Sequence, residues 1–288
     1  MPETDTSAKN PLHVSEVDDN LKELSPHGSF ELPVETYMAN CEIFHALYDH
    51  WHSEMEIMYI EKGSGFARLN RESIRLKKGD ILIVCGDFGM LWEGGEEEEK
   101  LLKKLGEKKY TIAFVDGTHE NFDLLEQYPV QEWNGGSVHK LNENVYHLMR
   151  GQVFEIDDVR FFTFGGASSH DIDAGILEPD DPDFAAKRKK LDRERALYRV
   201  NHVSWWVEEL PSEEEQEEGL RNLEKCQYQV DFILSHCAPS SIQDIVSRGF
   251  YSHDRLTNYL DRVKELCDFK IWFFGHYHAN ERIGEKFV

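Results

Sequence analysis

The sequence predicts an α/β protein with a largely parallel sheet, because short, almost continuously apolar runs alternate with amphipathic helical segments after residue 80. The apolar runs are ILIVC, TIAFV, DFILS and IWFF. Such runs are typical of strands buried on both faces. The chain has 288 residues, a length typical of about two domains.

The first part of the chain has a different pattern. Residues 1–29 lack hydrophobic periodicity and are rich in polar and acidic side chains, so we interpret them as a polar tail. Residues 30–84 follow a β pattern, with two apolar runs separated by the turn Lys62-Gly63-Ser64-Gly65. We therefore expect a β segment at 30–84 and a larger α/β domain at 80–288, with the two overlapping at the strand ILIV.

Several later elements carry local signals of their own. The segment GGEEEEKLLKKLGEKK predicts a helix, and VFEIDDVRFFTF predicts a hairpin that turns at Asp157-Asp158. A long helix is expected from about Phe184 to Glu209. The spacing of Ser212 and Glu215 is that of a capping box, which predicts that another helix begins there.

The charge balance limits the classes of partner. Asp and Glu number 55 against 32 Lys and Arg, a formal net charge of -23, and such a chain repels phosphate backbones. We therefore expect no broad nucleic-acid binding. No apolar run reaches the length of a membrane span, and the polar N-terminus is unlike a signal peptide. With five widely spaced cysteines and no C-x-x-C, the chain is predicted to be cytoplasmic.

Polar side chains follow four of the apolar runs, at the point where each strand is expected to end. They are Asp87, Thr118 with His119, His236, and His276 with His278. The carboxyl ends of parallel strands meet at one edge of a sheet, so we expect these side chains to converge. One carboxylate and several imidazoles suit Mn, Fe or Zn, and one or two such ions could activate a water molecule.

These blocks resemble the calcineurin-like metallophosphoesterases over about residues 78–288. The matching pieces are Gly86-Asp87-Phe88-Gly89, Gly117-Thr118-His119-Glu120, Ser235-His236-Cys237 and Gly275-His276-Tyr277-His278. The resemblance implies a β-sandwich flanked by helices and hydrolysis of a small phosphoester. It also implies roles for individual residues. Asp87 bridges two metals, His236 and His276 hold one ion with Thr118 as a further ligand, and His278 holds the other ion. His119 is the leaving-group acid or a stabiliser of the transition state.

The chain departs from that family in two places. Thr118 stands where the family has a metal-binding Asn, and a neutral hydroxyl is a weaker ligand. The family's opening Asp-x-His block, which supplies two ligands of the first ion, has no counterpart before Asp87. We therefore expect an incomplete metal site and a weakened hydrolase.

An H-x-H-x3-E pattern stands upstream, formed by His50, His52 and Glu56. Residues two apart on a strand face the same side, so these three side chains share one face. The stretch resembles the first motif of cupins, in particular the N-terminal sensing domain of AraC-type regulators, over about residues 1–84. The resemblance implies an effector pocket or a metal site. The second cupin motif is missing after Gly79, so we expect an incomplete barrel joined to the larger domain at residues 77–84.

Three functions stay open at this point. The first is a weakened metal-dependent phosphoester hydrolase. The Gly-rich loop 165–171 is a candidate to line its substrate cleft. The second is an effector-sensing cupin module of the regulator type without a DNA-binding domain. The third is a catalytically dead scaffold. The sequence leaves open whether the chain forms a homo-oligomer.

Overall fold

The computed structural model describes residues 76–278 and 282–288 in full and the backbone of 67–69 and 72–74. By internal contacts the chain divides into two units, Met1–Ile57 and Met58–Val288. All described residues belong to the second unit. The predicted polar tail, the predicted turn at 62–65, and the candidates His50, His52 and Glu56 lie outside the described residues.

Strands outnumber helices in the described part of the chain. The strands are β1 Ala67–Leu69, β2 Glu72–Ile74, β3 Ile81–Cys85, β4 Thr111–Val115, β5 Val130–Trp133, β6 Gly136–Lys140, β7 Val145–Leu148, β8 Gln152–Ile156, β9 Val159–Phe164, β10 Ile176–Leu177, β11 Arg199–Val200, β12 Phe232–Ser235 and β13 Ile271–Phe273. The helices are α1 Glu96–Gly106, α2 Phe122–Leu125, α3 Phe184–Glu194, α4 Glu213–Lys225, α5 Ser240–Val246 and α6 Arg255–Leu266.

Two mixed sheets form the framework. In the larger sheet the strand order is β3-β4-β7-β6-β5, with parallel pairs between β3, β4 and β7 and antiparallel pairs from β7 to β5. In the other sheet the order is β13-β12-β9-β8, parallel except for the hairpin of β8 and β9. The α/β class is confirmed. The sheets are less uniformly parallel than predicted, because two-residue turns and short loops join several neighbouring strands directly.

The two sheets pack against each other through an apolar core. Ala113, Val115 and Val138 of the larger sheet contact Phe154 and Leu234 of the other, and all five are nearly inaccessible to solvent. A second core lies on the outer face of the four-stranded sheet, where strand residues pack against α4 and α6. Because both faces of that sheet are covered, its strands carry the continuous apolar runs seen in the sequence.

The predicted helix over 184–209 is wrong in its second half. Helix α3 ends at Glu194, where Arg195 takes a left-handed backbone with φ 52°, and none of the helix residues is buried. A solvated helix without an apolar face gains little from packing, so nothing extends it. The chain continues into β11 and then to Trp206, which is fully buried and packs edge-on against Trp92.

Two other local predictions are confirmed. The hairpin of β8 and β9 turns at Asp157-Asp158, both of which have positive φ. Paired positive φ values are those of a type I′ turn, whose twist suits two antiparallel strands. The Ser212 side chain accepts a hydrogen bond from the Glu215 N–H, and the Glu215 carboxylate accepts one from the Ser212 N–H.

Only part of the predicted incomplete barrel at 30–84 lies within the described residues. Strands β1 and β2 form an antiparallel pair, but β3 pairs in parallel with β4 of the larger sheet. No set of strands closes into a barrel in the part of the chain that the structure describes. Among those same residues, no helix is both long enough and apolar enough to cross a bilayer.

Candidate functional site

The candidate site begins where β3 ends. Gly86 has φ 93°, and a Cβ there would lie 2.0 Å from His236 Nδ1. Asp87 follows with φ 54°, in the left-handed region. The sharp bend brings the Asp87 carboxylate beside His236, which follows β12 of the other sheet. Only glycine tolerates both the backbone conformation and the close approach at position 86.

Backbone N–H groups of the next loop hold the Asp87 carboxylate. Asp87 Oδ1 accepts hydrogen bonds from Thr118 N at 2.7 Å and from His119 N at 3.1 Å. His119 Nδ1 lies 3.2 Å from Asp87 Oδ2. The approach depends on Gly117, where a Cβ would meet Asp87 Oδ1 at 2.3 Å. The ends of β3 and β4 are therefore tied together through one carboxylate.

Electrostatics favours charge separation between Asp87 and His236. Burial penalises the ionised carboxylate, but His236 and His119 outweigh it and hold the pKa of Asp87 well below its usual range. Burial likewise opposes the charged form of His236, and the attraction of Asp87 outweighs it, raising the pKa of His236 to about 9. The pair therefore resembles a buried ion pair whose members stabilise each other.

One nitrogen of His236 lacks a good partner. Its Nδ1 donates to the Cys85 carbonyl at 2.8 Å, which fixes the ring. Its buried Nε2 lies 3.3 Å from Asp87 Oδ1, within ion-pair distance, but forms no regular hydrogen bond with the described residues. A buried polar atom without a hydrogen bond is costly, so this nitrogen marks a place where a further group could bind.

His276 lies next to His236 and completes the cluster. The two rings are 5.0 Å apart at an interplanar angle of 62°. His276 has φ 68°, and burial among neighbouring imidazoles lowers its pKa well below the usual value. Its Nε2 lies 2.7 Å from Nε2 of His170, which belongs to the loop after β9. His278, two residues further along, is exposed and also has positive φ.

The predicted site residues thus fall into two groups. Asp87, Thr118, His119, His236 and His276 converge at the ends of β3, β4, β12 and β13. Thr118 Oγ1 lies 3.4 Å from Asp87 Oδ1, at the outer limit of a hydrogen bond. His278 stands at the exposed margin of this cluster.

Sequence reasoning missed Glu120. Its carboxylate is buried and accepts hydrogen bonds from Phe88 N at 2.6 Å and Gly117 N at 2.7 Å. Burial, followed by the nearby charge of Asp87, raises its pKa to about 8. Glu120 therefore ties the loop after β3 to the loop after β4. Its position three residues after Gly117, within a motif already singled out, was the available signal.

Sequence reasoning also left out His170 as an individual residue. It belongs to the Gly-rich loop 165–171, which was expected to line a cleft. Its ring stacks on Tyr251 at 3.8 Å with an interplanar angle of 4°. No sequence signal connects His170, Tyr251 and His276, because they come from three separate segments.

The cluster offers one carboxylate, several imidazole nitrogens and convergent backbone N–H groups. These groups can form hydrogen bonds with a polar small molecule. The described residues hold no ready group of three His, Cys, Asp or Glu side chains placed to share a metal ion. Asp87 and His236 are close enough to be neighbouring ligands, whereas His276 Nε2 is engaged by His170.

Comparison with known proteins gives a similarity in the first third of the chain. Residues 32–87 match the family described as the AraC-like ligand binding domain. The matched range includes β1, β2 and β3 and ends at Asp87. This is the class of segment that the sequence resemblance to regulator sensing domains indicated.

The chain is also similar to a curated protein described as a transcriptional regulator. The chain is 39% identical over 74 residues to the uncharacterized HTH-type transcriptional regulator YdeC of Bacillus subtilis (strain 168). The match covers 25% of this chain and 25% of that protein, so the chain spans about a quarter of the relative's length. No solved structure matches the chain significantly.

These findings correct the predicted function. The principal prediction, a metal-dependent phosphoester hydrolase of the calcineurin-like type, is wrong, because the recognised similarity is to a regulator's ligand-binding domain. The comparisons give no support to a metallophosphoesterase over residues 78–288, and they favour the alternative, an effector-sensing module. The error arose because short polar motifs at strand ends do not define a reaction on their own.

Proposed function

We propose that this chain binds a small-molecule effector through a segment centred on residues 32–87. The match of that range to the AraC-like ligand binding domain carries the proposal. The similarity to a protein described as an HTH-type transcriptional regulator is consistent with such a domain. The proposal concerns this segment alone and makes no statement about the activity of the whole chain.

The ligand-binding side chains proposed for this segment are His50, His52 and Glu56. Imidazoles and a carboxylate at alternate positions can donate to and accept from a ligand with several hydroxyl or amino groups. Such convergent polar groups typically orient a small ligand within an otherwise apolar pocket. The effector class is therefore polyhydroxylated or amino-bearing metabolites.

The test is a thermal-unfolding screen of the full chain. Pentoses, hexoses, sugar alcohols and amino acids are added singly at millimolar concentration, and Tm is measured. A compound that binds only the folded chain stabilises it by about 2.7 kcal/mol at a hundred times its Kd, so Tm rises with concentration. We expect the rise to disappear in the double variant H50A/H52A and to persist in H253A. A panel without any rise, or a rise that H50A/H52A retains, contradicts the proposal.

We also propose that the cluster at Asp87 binds one divalent ion, with Mn, Fe or Zn as the candidate metals. The observation that favours it is the buried His236 Nε2, which has no aligned hydrogen-bond partner and lies beside an ionised carboxylate. Asp87, His236 and His276 are the proposed ligands, and Thr118 and His278 are further candidates. Because His276 Nε2 contacts His170, its other nitrogen is the one proposed to face the ion.

Metal content tests this second proposal directly. The purified chain is dialysed against Mn²⁺ or Zn²⁺, and bound metal is measured by elemental analysis and titration calorimetry. We expect about one bound ion per chain in the wild type and loss of that ion in D87N and in H236Q. The control H253Q should keep it, because His253 is exposed and its side chain contacts Asp244 at 2.8 Å. Equal metal content in all variants would show that the ion binds elsewhere.

A further inference from the structure

Two cysteines follow directly after two helices that pack on the same sheet. Cys226 is the first residue after α4, and Cys267 is the first residue after α6. Both belong to the apolar cluster on the outer face of the four-stranded sheet, Cys267 as a buried member and Cys226 as a half-buried one. Both are free thiols. The fold therefore places two thiols from distant parts of the sequence in one cluster.

Backbone hydrogen bonds join the chain segments that follow these two cysteines. Asp268 N donates to the Tyr228 carbonyl at 2.9 Å, and Val230 N donates to the Asp268 carbonyl at 3.1 Å. Gln229 and Asp268 accordingly form a parallel bridge. A disulfide needs Cα atoms about 4.4–6.8 Å apart, and the two segments are already held side by side. We therefore expect a disulfide between the two cysteines to need only a local adjustment of residues 226–228.

The two thiols differ in how easily solvent reaches them. Cys267 is buried, and burial followed by the neighbouring Cys226 raises its pKa to about 12, so it is a neutral thiol at physiological pH. Cys226 is half-buried, and its Sγ contacts the Leu223 carbonyl at 3.1 Å. An oxidant from solvent therefore meets Cys226 first, and Cys267 is the neighbouring thiol that can react with the product.

We propose that Cys226 and Cys267 are a redox pair, which a small disulfide such as oxidised glutathione converts into an intramolecular disulfide. The Cys226 thiolate attacks one sulfur of the oxidant and the S–S bond breaks. One glutathione leaves and takes up the proton that Cys226 lost. Cys267 then loses its proton, attacks the Cys226 sulfur and releases the second glutathione, which takes up that proton. Two protein thiols are thus oxidised, and one small disulfide is reduced to two thiols.

The proposed link joins the segments that lead into β12 and β13. A disulfide there restricts the unfolded chain, whereas the native chain already holds the two segments together, so we expect the oxidised form to be the more stable one. The histidines His236 and His276 follow the opposite ends of the same two strands. The inference therefore depends neither on the proposed effector site nor on the proposed cation site.

Peptide mapping tests whether the link forms. The full chain is incubated in native buffer with excess oxidised glutathione, free thiols are then alkylated, and a digest is analysed by mass spectrometry without reduction. We expect one linked pair of peptides that contains Cys226 and Cys267, and its loss after treatment with a thiol reductant. A wild-type chain that yields no such pair, or that links either residue to another cysteine instead, overturns the inference.

Serine variants test the order of the two steps. In C267S we expect glutathione to stay attached to Cys226, because the second attack has lost its thiol. In C226S we expect little attachment, since Cys267 is buried. The control C85S, which alters the cysteine at the end of β3, should form the link as the wild type does. Attachment to Cys267 in C226S as fast as attachment to Cys226 in C267S contradicts the proposed order.

Urea unfolding measures the consequence for stability. We expect the midpoint of the oxidised wild type to lie above that of the reduced wild type and to fall back after reduction. In C267S the same treatment should give no rise. A link that forms only in urea shows that the folded chain keeps the two thiols apart, and it overturns the inference. A lower midpoint in the oxidised wild type contradicts the stabilising role of the link.

Discussion

Arg150 and Asp116 form an ion pair that is almost completely withdrawn from solvent. Arg150 Nε donates to Asp116 Oδ2 at 2.9 Å, and a second guanidinium nitrogen contacts the same oxygen. Asp116 Oδ1 also lies 3.0 Å from His147 Nε2. Despite burial, Arg150 and then His147 hold the pKa of Asp116 well below its usual range. The pair links the end of β4 to the loop after β7.

Replacing Arg150 with Met is expected to destabilise the fold by about 3–5 kcal/mol, because it leaves the Asp116 carboxylate buried without its cation. Urea unfolding measures the loss. Asp116→Asn in the same chain removes the isolated charge and is expected to recover part of it. The matched control is Arg160→Met, since Arg160 and its partner Glu155 are both about half exposed and such pairs contribute about 0–1 kcal/mol. Equal losses in the two single variants would contradict the prediction.

His139 makes stability depend on pH. It is buried, with its Nδ1 3.0 Å from His147 Nδ1, and burial followed by that neighbour lowers its pKa from 6.5 to about 4. Between these two values the unfolded chain binds a proton that the folded chain does not. Stability from His139 is therefore complete above pH 6.5 and is lost as pH falls toward 4, with a total of about 3 kcal/mol.

The measurement is the free energy of unfolding from pH 8 to 5 for the wild type and H139Q. The difference between the two is expected to shrink below pH 6.5, approaching about 1.4 kcal/mol per pH unit. H253Q, which alters an exposed histidine, is the control and should run parallel to the wild type. Parallel curves for H139Q and the wild type would show that His139 titrates normally.

Alanine substitutions at Gly86 and Gly79 distinguish the cost of backbone strain from the cost of a steric clash. Their φ values are nearly the same, 93° and 92°, but a Cβ at Gly86 meets His236 Nδ1 at 2.0 Å, whereas a Cβ at Gly79 meets nothing within 4 Å. Gly79→Ala should cost only the left-handed conformation, about 1–2 kcal/mol. Gly86→Ala should cost clearly more, in the upper range of single substitutions at about 4 kcal/mol, and displace His236.

Denaturant unfolding measures both costs, and the imidazole signals of His236 report its displacement. A Gly86→Ala variant as stable as Gly79→Ala, with unchanged His236 signals, would show that the bend after β3 relaxes easily.

The cap of α4 is the smallest of these effects. Ser212→Ala removes the side-chain acceptor for the Glu215 N–H and should cost about 1 kcal/mol. Ser212→Asp keeps an acceptor and should restore stability, whereas Ser252→Ala, at an exposed serine, should have no measurable effect. These differences are measured as shifts in the urea midpoint. A Ser212→Ala variant as stable as the wild type would mean that the helix end is held by other contacts.

Part of the candidate site was predictable from strand-end patterns. Asp87, His119 and His236 each follow an apolar run, and the structure brings them within 3.2–3.3 Å of one another through Asp87. The roles of Glu120 and His170 were not predictable, since their partners come from loops that approach only after the sheets form. The prediction of a hydrolase was wrong for a related reason. Strand-end patterns indicate which polar side chains come together, but they do not identify the molecule that those side chains bind.

Local sequence signals were sufficient to predict the short-range elements of the chain. The turn at Asp157-Asp158, the Ser212–Glu215 cap and the apolar strands follow from interactions between residues a few positions apart. The end of α3, the pairing of strands in two mixed sheets and the contact between His170 and His276 are set by the folded structure. Those outcomes depend on contacts between distant segments, whose energies no local pattern of side chains records.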